Sequence, residues 1–184
     1  MPASILILGG ASAIGASAIQ LLRLAYPSLD ILATSSPKHH AHLVSLGVTH
    51  LFDYHSSTVV SDIKKASPGA KGVDMIIDCV SAGLTQQDIC DVLDEDGSKM
   101  YASVITAIDS PVVAQGVTKT LINGWLLTDL QGGKQIIPMI TRLIEEGQYK
   151  VPLPVRVVGH GLGDVPKVMD QVFSVSGEKL LVVL

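Results

Sequence analysis

The sequence of 184 residues carries a net charge of −4, and 47% of its residues are hydrophobic. This length suits one domain with a large core, or one domain with an appendage. Acidic and basic residues are interspersed and only 4% of residues are aromatic, so the composition excludes nucleic acid as an expected partner. Charged residues make up only 16% of the chain, which favours an apolar surface for another protein, another domain or an apolar small-molecule substrate.

The cysteine content and the N-terminal sequence predict a protein of a reducing compartment. The two cysteines, Cys79 and Cys90, are too few for a disulfide framework, and we expect a cytoplasmic location. The first 22 residues are uncharged, but they lack the basic n-region of a signal peptide and glycines interrupt their apolar run. We therefore interpret them as part of the folded domain. No stretch is long and apolar enough to predict a membrane span.

The first predicted elements are a strand, a glycine-rich turn and a helix. Residues 5–8 are all apolar, as in a strand that is buried on both faces of a parallel sheet. Gly9 and Gly10 end the strand, and apolar residues recur at helical spacing from Ile14 onward. Such glycines let the backbone approach a dinucleotide pyrophosphate, which the helix N-terminus binds through free N–H groups and its dipole. An ordinary strand-turn-helix is the alternative, since a glycine-rich turn alone is a weak signal.

The chain then alternates strands and helices. Strands are predicted at residues 30–34, 48–54, 73–79 and 98–104. Helices are predicted at residues 14–26, 35–46, 58–66 and 85–93. This alternation predicts an α/β fold with a doubly wound parallel sheet.

After residue 104 the pattern is less regular. A sixth strand is predicted at residues 125–128, and a helix at 135–146. A strand at 155–158, a helix at 164–173 and a strand at 179–184 complete the chain. The last five residues are all apolar, and an exposed strand of this kind needs a partner edge. We therefore expect a homo-oligomer.

The residues at the end of the second strand indicate which dinucleotide is bound. Folds that bind NAD usually carry an Asp or Glu about 20 residues after the glycine motif, which accepts a hydrogen bond from the ribose 2′-hydroxyl. Here Thr34, Ser35, Ser36 and Lys38 occupy that region. Hydroxyl donors and a cation suit a 2′-phosphate, which a carboxylate would repel. The sequence therefore predicts NADP(H); the alternative role of the two serines, capping the next helix, is compatible with this prediction.

These motifs resemble the cofactor domain of the medium-chain dehydrogenase/reductase superfamily. The matching segments are GGASAIG, AIQLLRLA, ATSSPKHHAHLVSLG, FDY, IIDCVS and GEKLLVVL. The resemblance is to the zinc-independent branch, which contains quinone oxidoreductases and the trans-acting enoyl reductases of fungal polyketide synthases. The glycine motif of that family falls on Gly9, Ser12 and Gly15, where Ser12 replaces the family's usual glycine.

The resemblance implies a set of cofactor contacts. Ser35, Ser36 and Lys38 would hold the 2′-phosphate, and Tyr54 would line the adenosine pocket. Residues after the fourth and fifth strands would approach the ribose and the nicotinamide. The predicted cofactor-binding residues are Gly9, Gly10, Ala11, Ser12, Ala13, Ile14, Gly15, Ser35, Ser36, Lys38, Tyr54, Cys79, Val80, Ser81 and Val104.

The resemblance also implies a domain organisation. Members of the family carry a catalytic domain ahead of the glycine-rich strand, which supplies most of the substrate pocket, whereas here three residues precede that strand. Residues 1–150 are expected to form the NADP(H)-binding, Rossmann-like domain, and residues 151–184 a short C-terminal remnant of the catalytic domain. A piece of a longer protein and a truncated relative both fit the sequence.

The sequence contains no recognisable catalytic or metal-binding cluster. His39 and His42 could share a helix face, but no cysteine or carboxylate cluster accompanies them, and we interpret them as part of a solvated face. The acidic residues from Asp88 to Asp96 are interpreted as a solvated surface and turn. Cys79 has no basic neighbour in the sequence, so we interpret it as a small apolar residue and not as a nucleophile.

Three functions from different classes remain open. The first is an NADP(H)-dependent enoyl reductase or quinone oxidoreductase-like enzyme, in which the cofactor carries the hydride chemistry. The second is a truncated relative with a non-redox activity, such as the cyclisation of an apolar polyene. The third is a non-catalytic NADP-binding subunit that docks on a synthase, or on a separate N-terminal domain, through the C-terminal segment.

Overall fold

The computed structural model describes residues 2–104, 109 and 111–184. Its central element is strand β1 (Ser4–Leu8), in which all five residues are buried. Successive side chains of a strand point to opposite faces of the sheet: Ile5 and Ile7 lie in one core cluster, and Leu6 and Leu8 in the other. Both faces of the strand are covered, which explains why its sequence is apolar without alternation.

Strand β1 lies inside a six-stranded parallel sheet. The other strands are β2 (Asp30–Thr34), β3 (His50–Phe52), β4 (Met75–Asp78), β5 (Met100–Val104) and β6 (Thr118–Ile122). Their spatial order is β3-β2-β1-β4-β5-β6, and every neighbouring pair is parallel. This is the strand order of a Rossmann-like, doubly wound sheet, and it confirms the predicted fold class.

Helices cover both faces of this sheet. They are α1 (Ala13–Ala25), α2 (His40–Leu46) and α3 (Val59–Ala66). A fourth helix, α4 (Ile136–Glu145), follows later in the chain and has no buried residue. Ile19 of α1 and Leu43 of α2 belong to the same core cluster, whereas Ile63 of α3 belongs to the opposite one. Helix α2 ends at Gly47, which adopts the left-handed conformation (φ 107°), as the sequence predicts for a helix C-terminus.

Two predicted elements are wrong in position or type. The predicted strand at residues 125–128 is a 3₁₀ turn (Gly124–Asp129), and the sixth strand lies earlier, at β6. The Asn123 side chain explains the turn, because its oxygen accepts a hydrogen bond from the Trp125 amide across 3.0 Å and so caps it. Residues Gln87–Val92, within the helix predicted at 85–93, form a 3₁₀ turn instead.

The C-terminal residues form a second, two-stranded parallel sheet. Strands β7 (Val155–His160) and β8 (Lys179–Val183) pair with each other, and the short helix α5 (Val165–Val168) lies between them in the chain. Both strands occur where the sequence predicts them, while the domain division at residue 150 stays a prediction. Among the residues described here, none of the helices has the length and apolarity that crossing a membrane requires.

Candidate functional site

A cleft of about 940 Å³ opens beyond the carboxyl ends of β1, β2 and β4. In open α/β sheets, ligands bind where the strand order reverses, which here is between β1 and β4. The cleft is bounded by the turns after β1 and β2, the loops after β3 and β4, and the segment before β8. Its lining residues are Gly9, Ala11, Ser12, Thr34, Ser35, Ser36, His39, Tyr54, Val80, Ser81, Ala82, Leu84, Thr85, Gln86, Ser176 and Gly177.

Close backbone packing shapes the turn between β1 and α1. Gly9 has a φ of 76°, and a Cβ atom on it would lie 2.4 Å from a methyl carbon of Val80. A Cβ atom on Gly15 would lie 2.3 Å from the carbonyl oxygen of Gly9. Both positions therefore require glycine, which lets α1 and the loop after β4 approach the turn. The amide of Gly10 ties the turn to β2 by donating to the Thr34 carbonyl across 2.9 Å.

The N-terminus of α1 faces the same turn and presents free donors. Ser12 is the N-cap residue, and its hydroxyl oxygen accepts a hydrogen bond from the Gly15 amide across 3.0 Å. The amides of Ala11, Ala13 and Ile14 have no hydrogen-bond partner within the described part of the chain. Unpaired amides and the positive end of the helix dipole attract an anion such as a pyrophosphate.

Hydroxyl groups occupy the end of β2. Ser35 is buried, and its amide donates to the Phe52 carbonyl across 3.0 Å. The Ser36 hydroxyl lies 3.4 Å from the hydroxyl of Tyr54, which follows β3. With Thr34, the last residue of β2, this part of the cleft carries four hydroxyl groups, and no carboxylate belongs to the described lining.

His39 connects this hydroxyl-rich region to the C-terminal segment. Its Nε2 atom lies 3.1 Å from the hydroxyl oxygen of Ser176. Burial, reinforced by the charges of Lys38, His42 and His40, holds the pKa of His39 below its ordinary value. The imidazole is therefore mostly neutral at pH 7 when no anion is near.

A buried carboxylate organises the loop after β4. Asp78 accepts hydrogen bonds from the amides of Val80 (3.1 Å), Ala82 (3.0 Å) and Gly83 (3.1 Å), and from the Tyr101 hydroxyl (2.5 Å). Burial, followed by this bond to Asp78, raises the pKa of Tyr101. Because these donors satisfy the carboxylate, the loop is fixed with Val80 against Gly9 and with Ser81 in the left-handed conformation (φ 57°).

Known dehydrogenases resemble the chain over nearly its whole length. The family model described as zinc-binding dehydrogenase matches residues 13–123. The chain belongs to this family. It is 32% identical to the zinc-binding alcohol dehydrogenase domain-containing protein cipB of Emericella nidulans, over 93% of this chain and 53% of that protein. It is 28% identical to the trans-enoyl reductase poxP of Penicillium oxalicum, over 98% of this chain and 51% of that protein.

The fold is shared with solved dehydrogenase structures. The crystal structure of the CurK enoyl reductase matches with a TM-score of 0.74 and 20% identity, over 98% of this chain and 54% of that one. The predicted membership of the medium-chain dehydrogenase/reductase superfamily is confirmed. The chain is thus a member of an oxidoreductase family that uses a nicotinamide cofactor. The chain spans about half the length of the curated relatives it matches.

The cleft fits the phosphate-bearing part of such a cofactor. The backbone approach that Gly9 and Gly15 permit, and the free amides of α1, are the features that pyrophosphate binding requires. Eight of the predicted contact residues lie together in the cleft wall. They are Gly9, Ala11, Ser12, Ser35, Ser36, Tyr54, Val80 and Ser81.

The structure places the other predicted contact residues outside the lining. Gly10 is buried beneath the turn, where a Cβ atom would meet Ala33 and Leu43, and Ala13, Ile14 and Gly15 contribute through the backbone of α1. Cys79 is buried, and burial raises its pKa to about 12, so it is neither a wall residue nor a nucleophile. Lys38 is exposed, and Val104 is half-buried at the end of β5.

Several residues of this site have little or no signal in the sequence. The position of His39 in the cleft could not be predicted from the sequence, because its contact with Ser176 joins residues that are 137 positions apart. Asp78 carried a signal, since it is a charged residue that ends the apolar run of β4 and buried charges need partners. Gly177 begins the segment GEKLLVVL, which pointed to the family and not to the cleft, and Thr85 and Gln86 lie outside the matching segments. Among the described residues, no group of three or more His, Cys, Asp or Glu could hold a metal ion.

Proposed function

We propose that the chain binds NADP(H) and serves as the cofactor-binding part of an enoyl reductase or quinone oxidoreductase-like enzyme. The observation that carries the choice of NADP(H) is the end of β2, where Ser35 and Ser36 line the cleft and no carboxylate does so within the described residues. A carboxylate at this position would accept from a ribose 2′-hydroxyl, whereas hydroxyl donors favour a 2′-phosphate.

Each wall of the cleft would then have a separate role. The free amides of α1 and the Ser12 hydroxyl would bind the pyrophosphate, and Ser35, Ser36 and Tyr54 would surround the phosphorylated ribose. The bound cofactor would supply a hydride for an activated carbon–carbon double bond or a quinone. The chain's own residues would bind the cofactor and orient it.

The reaction class is supported by the apolar side of the cleft and by the relatives. Val80 and Leu84 line the cleft and remain partly exposed, as side chains that contact an apolar substrate would be. The relative poxP is named a trans-enoyl reductase. We therefore propose an apolar enoyl substrate for this chain, delivered by a synthase of polyketide metabolism in the cytoplasm.

The choice between NADPH and NADH can be tested with one introduced charge. Ser36→Asp places a carboxylate at the end of β2, within the cleft wall. A carboxylate and a phosphate about 4 Å apart repel each other by about 1 to 4 kcal/mol, depending on solvation. Ser45→Asp is the matched control, because Ser45 is exposed on α2 and lies outside the lining. Isothermal titration calorimetry of each variant with NADPH and with NADH measures the preference.

We expect the unchanged protein to bind NADPH more tightly than NADH. Ser36→Asp should weaken NADPH binding about tenfold or more and leave NADH binding equal or tighter, while Ser45→Asp should change neither. A preference of the unchanged protein for NADH, or an equal loss for both nucleotides in Ser36→Asp, would contradict NADP(H) as the cofactor. No binding of either nucleotide would contradict a cofactor role altogether.

We also propose that the chain forms a homo-oligomer through β6. Within the described residues β6 is an edge of the sheet, all five of its residues are exposed, and Leu121 and Ile122 are among them. An exposed strand edge with apolar residues tends to pair with another copy, and the one charged residue of β6, Lys119, donates to the Pro111 carbonyl across 2.9 Å. Light scattering should give a mass above that of the monomer, and Leu121→Lys should lower this mass.

Leu162→Lys changes another exposed leucine and should leave the mass unchanged. A monomeric mass for the unchanged protein would refute this proposal.

A further inference from the structure

His39 lies where the turn after β2 meets the C-terminal segment. Its amide donates to the Ser36 carbonyl across 3.0 Å, and its side chain contacts the Ser176 hydroxyl across 3.1 Å. Ser35, Ser36 and Ser176 line the cleft beside it. The imidazole therefore belongs to the hydroxyl-rich end of the cleft and not to the solvated face of α2.

This histidine is the one residue of the described lining that can carry a positive charge. The lining contains no lysine or arginine, and Lys38 is exposed outside it. A phosphate monoester carries a charge of about −1.5 to −2 at pH 7. Serine hydroxyls donate hydrogen bonds to such a group, but they do not neutralise it.

We propose that His39 is the cation of a 2′-phosphate subsite, formed with Ser35 and Ser36 and bordered by Ser176 of the C-terminal segment. The inference rests on the proposed function, since it needs NADP(H) as the ligand. It assigns the discrimination between NADPH and NADH to a side chain in the cleft wall, in addition to the strand-end hydroxyls.

The charges around His39 make its contact with the 2′-phosphate depend on the protonation of the imidazole. Lys38, His40 and His42, on its own turn and helix, disfavour the imidazolium, as does partial burial. From the C-terminal segment, Ser176 and Gly177 are uncharged, and the next residue, Glu178, is held by Arg156 across 3.0 Å. A phosphate dianion in the subsite favours the charged imidazole and so opposes the effect of the neighbouring cations and of burial. NADPH binding therefore takes up a proton at His39, and NADH binding does not.

The C-terminal segment is shaped to lie against this ring. Gly177 has a φ of 68°, and a Cβ atom on it would lie 2.3 Å from the Cε1 atom of His39. Only glycine combines this conformation with so close an approach. Gly177→Ala should therefore displace the imidazole while leaving its chemistry intact, which provides a second, independent variant.

Proton uptake measured by calorimetry tests this inference without any enzymatic assay. The unchanged protein, His39→Gln and Gly177→Ala are titrated at pH 7.5 with NADPH and NADH, in two buffers of different ionisation enthalpy. At this pH the phosphate, with a pKa of about 6, is already almost fully dianionic, so proton uptake reports on the protein. His160→Gln is the matched control, because His160 is an exposed histidine of β7 outside the lining.

We expect the unchanged protein to take up a larger fraction of a proton with NADPH than with NADH. His39→Gln should abolish this difference and weaken NADPH binding about tenfold, with NADH binding changed less than about twofold. Gly177→Ala should act in the same direction, and His160→Gln should have no effect. The NADPH affinity of the unchanged protein, relative to NADH, should fall as the pH rises from 6 to 8.5.

The outcomes separate this inference from the proposed function. Equal proton uptake with both nucleotides, or an unchanged NADPH affinity in His39→Gln, would overturn the role of His39 while leaving NADP(H) as the cofactor. If the unchanged protein bound neither nucleotide, the proposed function and the inference would both fall. Loss of NADH binding in His39→Gln together with normal NADH binding in Gly177→Ala would identify misfolding, and the Gly177→Ala result would then decide.

Discussion

The hydroxyl of Tyr101 donates a hydrogen bond to the carboxylate of Asp78 across 2.5 Å, and thereby links the adjacent strands β5 and β4. Both residues are buried, and three backbone amides of the loop after β4 donate to the same carboxylate. A buried charge is tolerated only when its acceptor sites are filled. This pair therefore stabilises the core and also sets the position of the cleft wall at Val80.

Tyr101→Phe tests the pair directly. It removes one donor and leaves the three amides on Asp78, so the protein should fold with a free energy of unfolding lower by about 1.5 to 3 kcal/mol, as for a hydrogen bond to a charged group. Urea denaturation measures the change. Tyr26→Phe, at an exposed tyrosine, should cost much less; similar losses in the two variants would show that the bond to Asp78 contributes little.

Cys79 gives an expectation for alkaline pH. Burial, followed by the neighbouring Asp78 charge, raises the pKa of its thiol from 9.0 to about 12. The folded protein thus keeps a proton that the unfolded chain loses, so this stabilising contribution is complete below pH 9 and is lost progressively between pH 9 and about 12.

The pH dependence of unfolding in Cys79→Ala checks this expectation. Between pH 8.5 and 10 the unchanged protein should lose stability more steeply than the variant, by up to about 1.4 kcal/mol per pH unit. Urea midpoints at several pH values give both slopes. Parallel slopes would mean that the thiol ionises alike in the folded and unfolded states.

Gly15→Ala tests the close approach of α1 to the turn after β1. The added Cβ atom would lie 2.3 Å from the Gly9 carbonyl oxygen, a backbone atom that cannot move alone. We expect a loss of stability of about 1 to 3 kcal/mol, as for overpacking, and at least a tenfold loss of NADPH and NADH affinity alike. Gly163→Ala is the control, because a Cβ atom there meets nothing within 4 Å. Unchanged nucleotide affinity in Gly15→Ala would place the pyrophosphate elsewhere.

Lys38→Ala should have a smaller and salt-dependent effect. The residue is exposed and lies outside the cleft lining, and exposed ion pairs contribute only about 0.2 to 1 kcal/mol. NADPH affinity should therefore fall less than about fivefold at low salt, with almost no change in high salt, where the charge is screened. Lys65→Ala, on α3, is the control. A loss of more than tenfold would show that the ammonium contacts the phosphate directly.

The sequence predicted the fold wherever local patterns and the global sheet agreed. One strand-turn-helix unit is predicted by the apolar run of β1, by the glycine turn and by the apolar period of α1. The run in β1 is apolar because both faces of the strand are buried, and the local patterns agree with the global sheet. The position of β6 could not be predicted, since its residues are exposed and carry no core pattern. The apolar residues around Trp125, which suggested a strand, lie at the surface instead.

The candidate site was predictable where it depends on neighbours in sequence. Ser35 and Ser36 follow β2 directly, and their position in the cleft follows from the parallel sheet. The environment of His39 depends on the C-terminal segment, which is distant in sequence. Lys38 is exposed and the adjacent His39 is half-buried, a difference that their sequence neighbours do not predict. Such long-range contacts leave no periodic signal in a single sequence.

The 184-residue chain alone should turn over substrate slowly. Hydride transfer needs the substrate carbon within about 3 to 3.5 Å of the nicotinamide, in a site from which water is excluded. In this structure Tyr54 and Val80, which line the cleft, are 49% and 46% exposed, so water reaches the site. We therefore expect slow reduction of enoyl thioesters and quinones, followed as the absorbance of NADPH, even when NADPH binds.

Thr85→Trp places a large side chain in the cleft and should block it. Thr128→Trp, at an exposed residue outside the cleft, is the control. Fast NADPH consumption that Thr85→Trp abolishes and Thr128→Trp preserves would show that the open cleft is itself a competent reductase site.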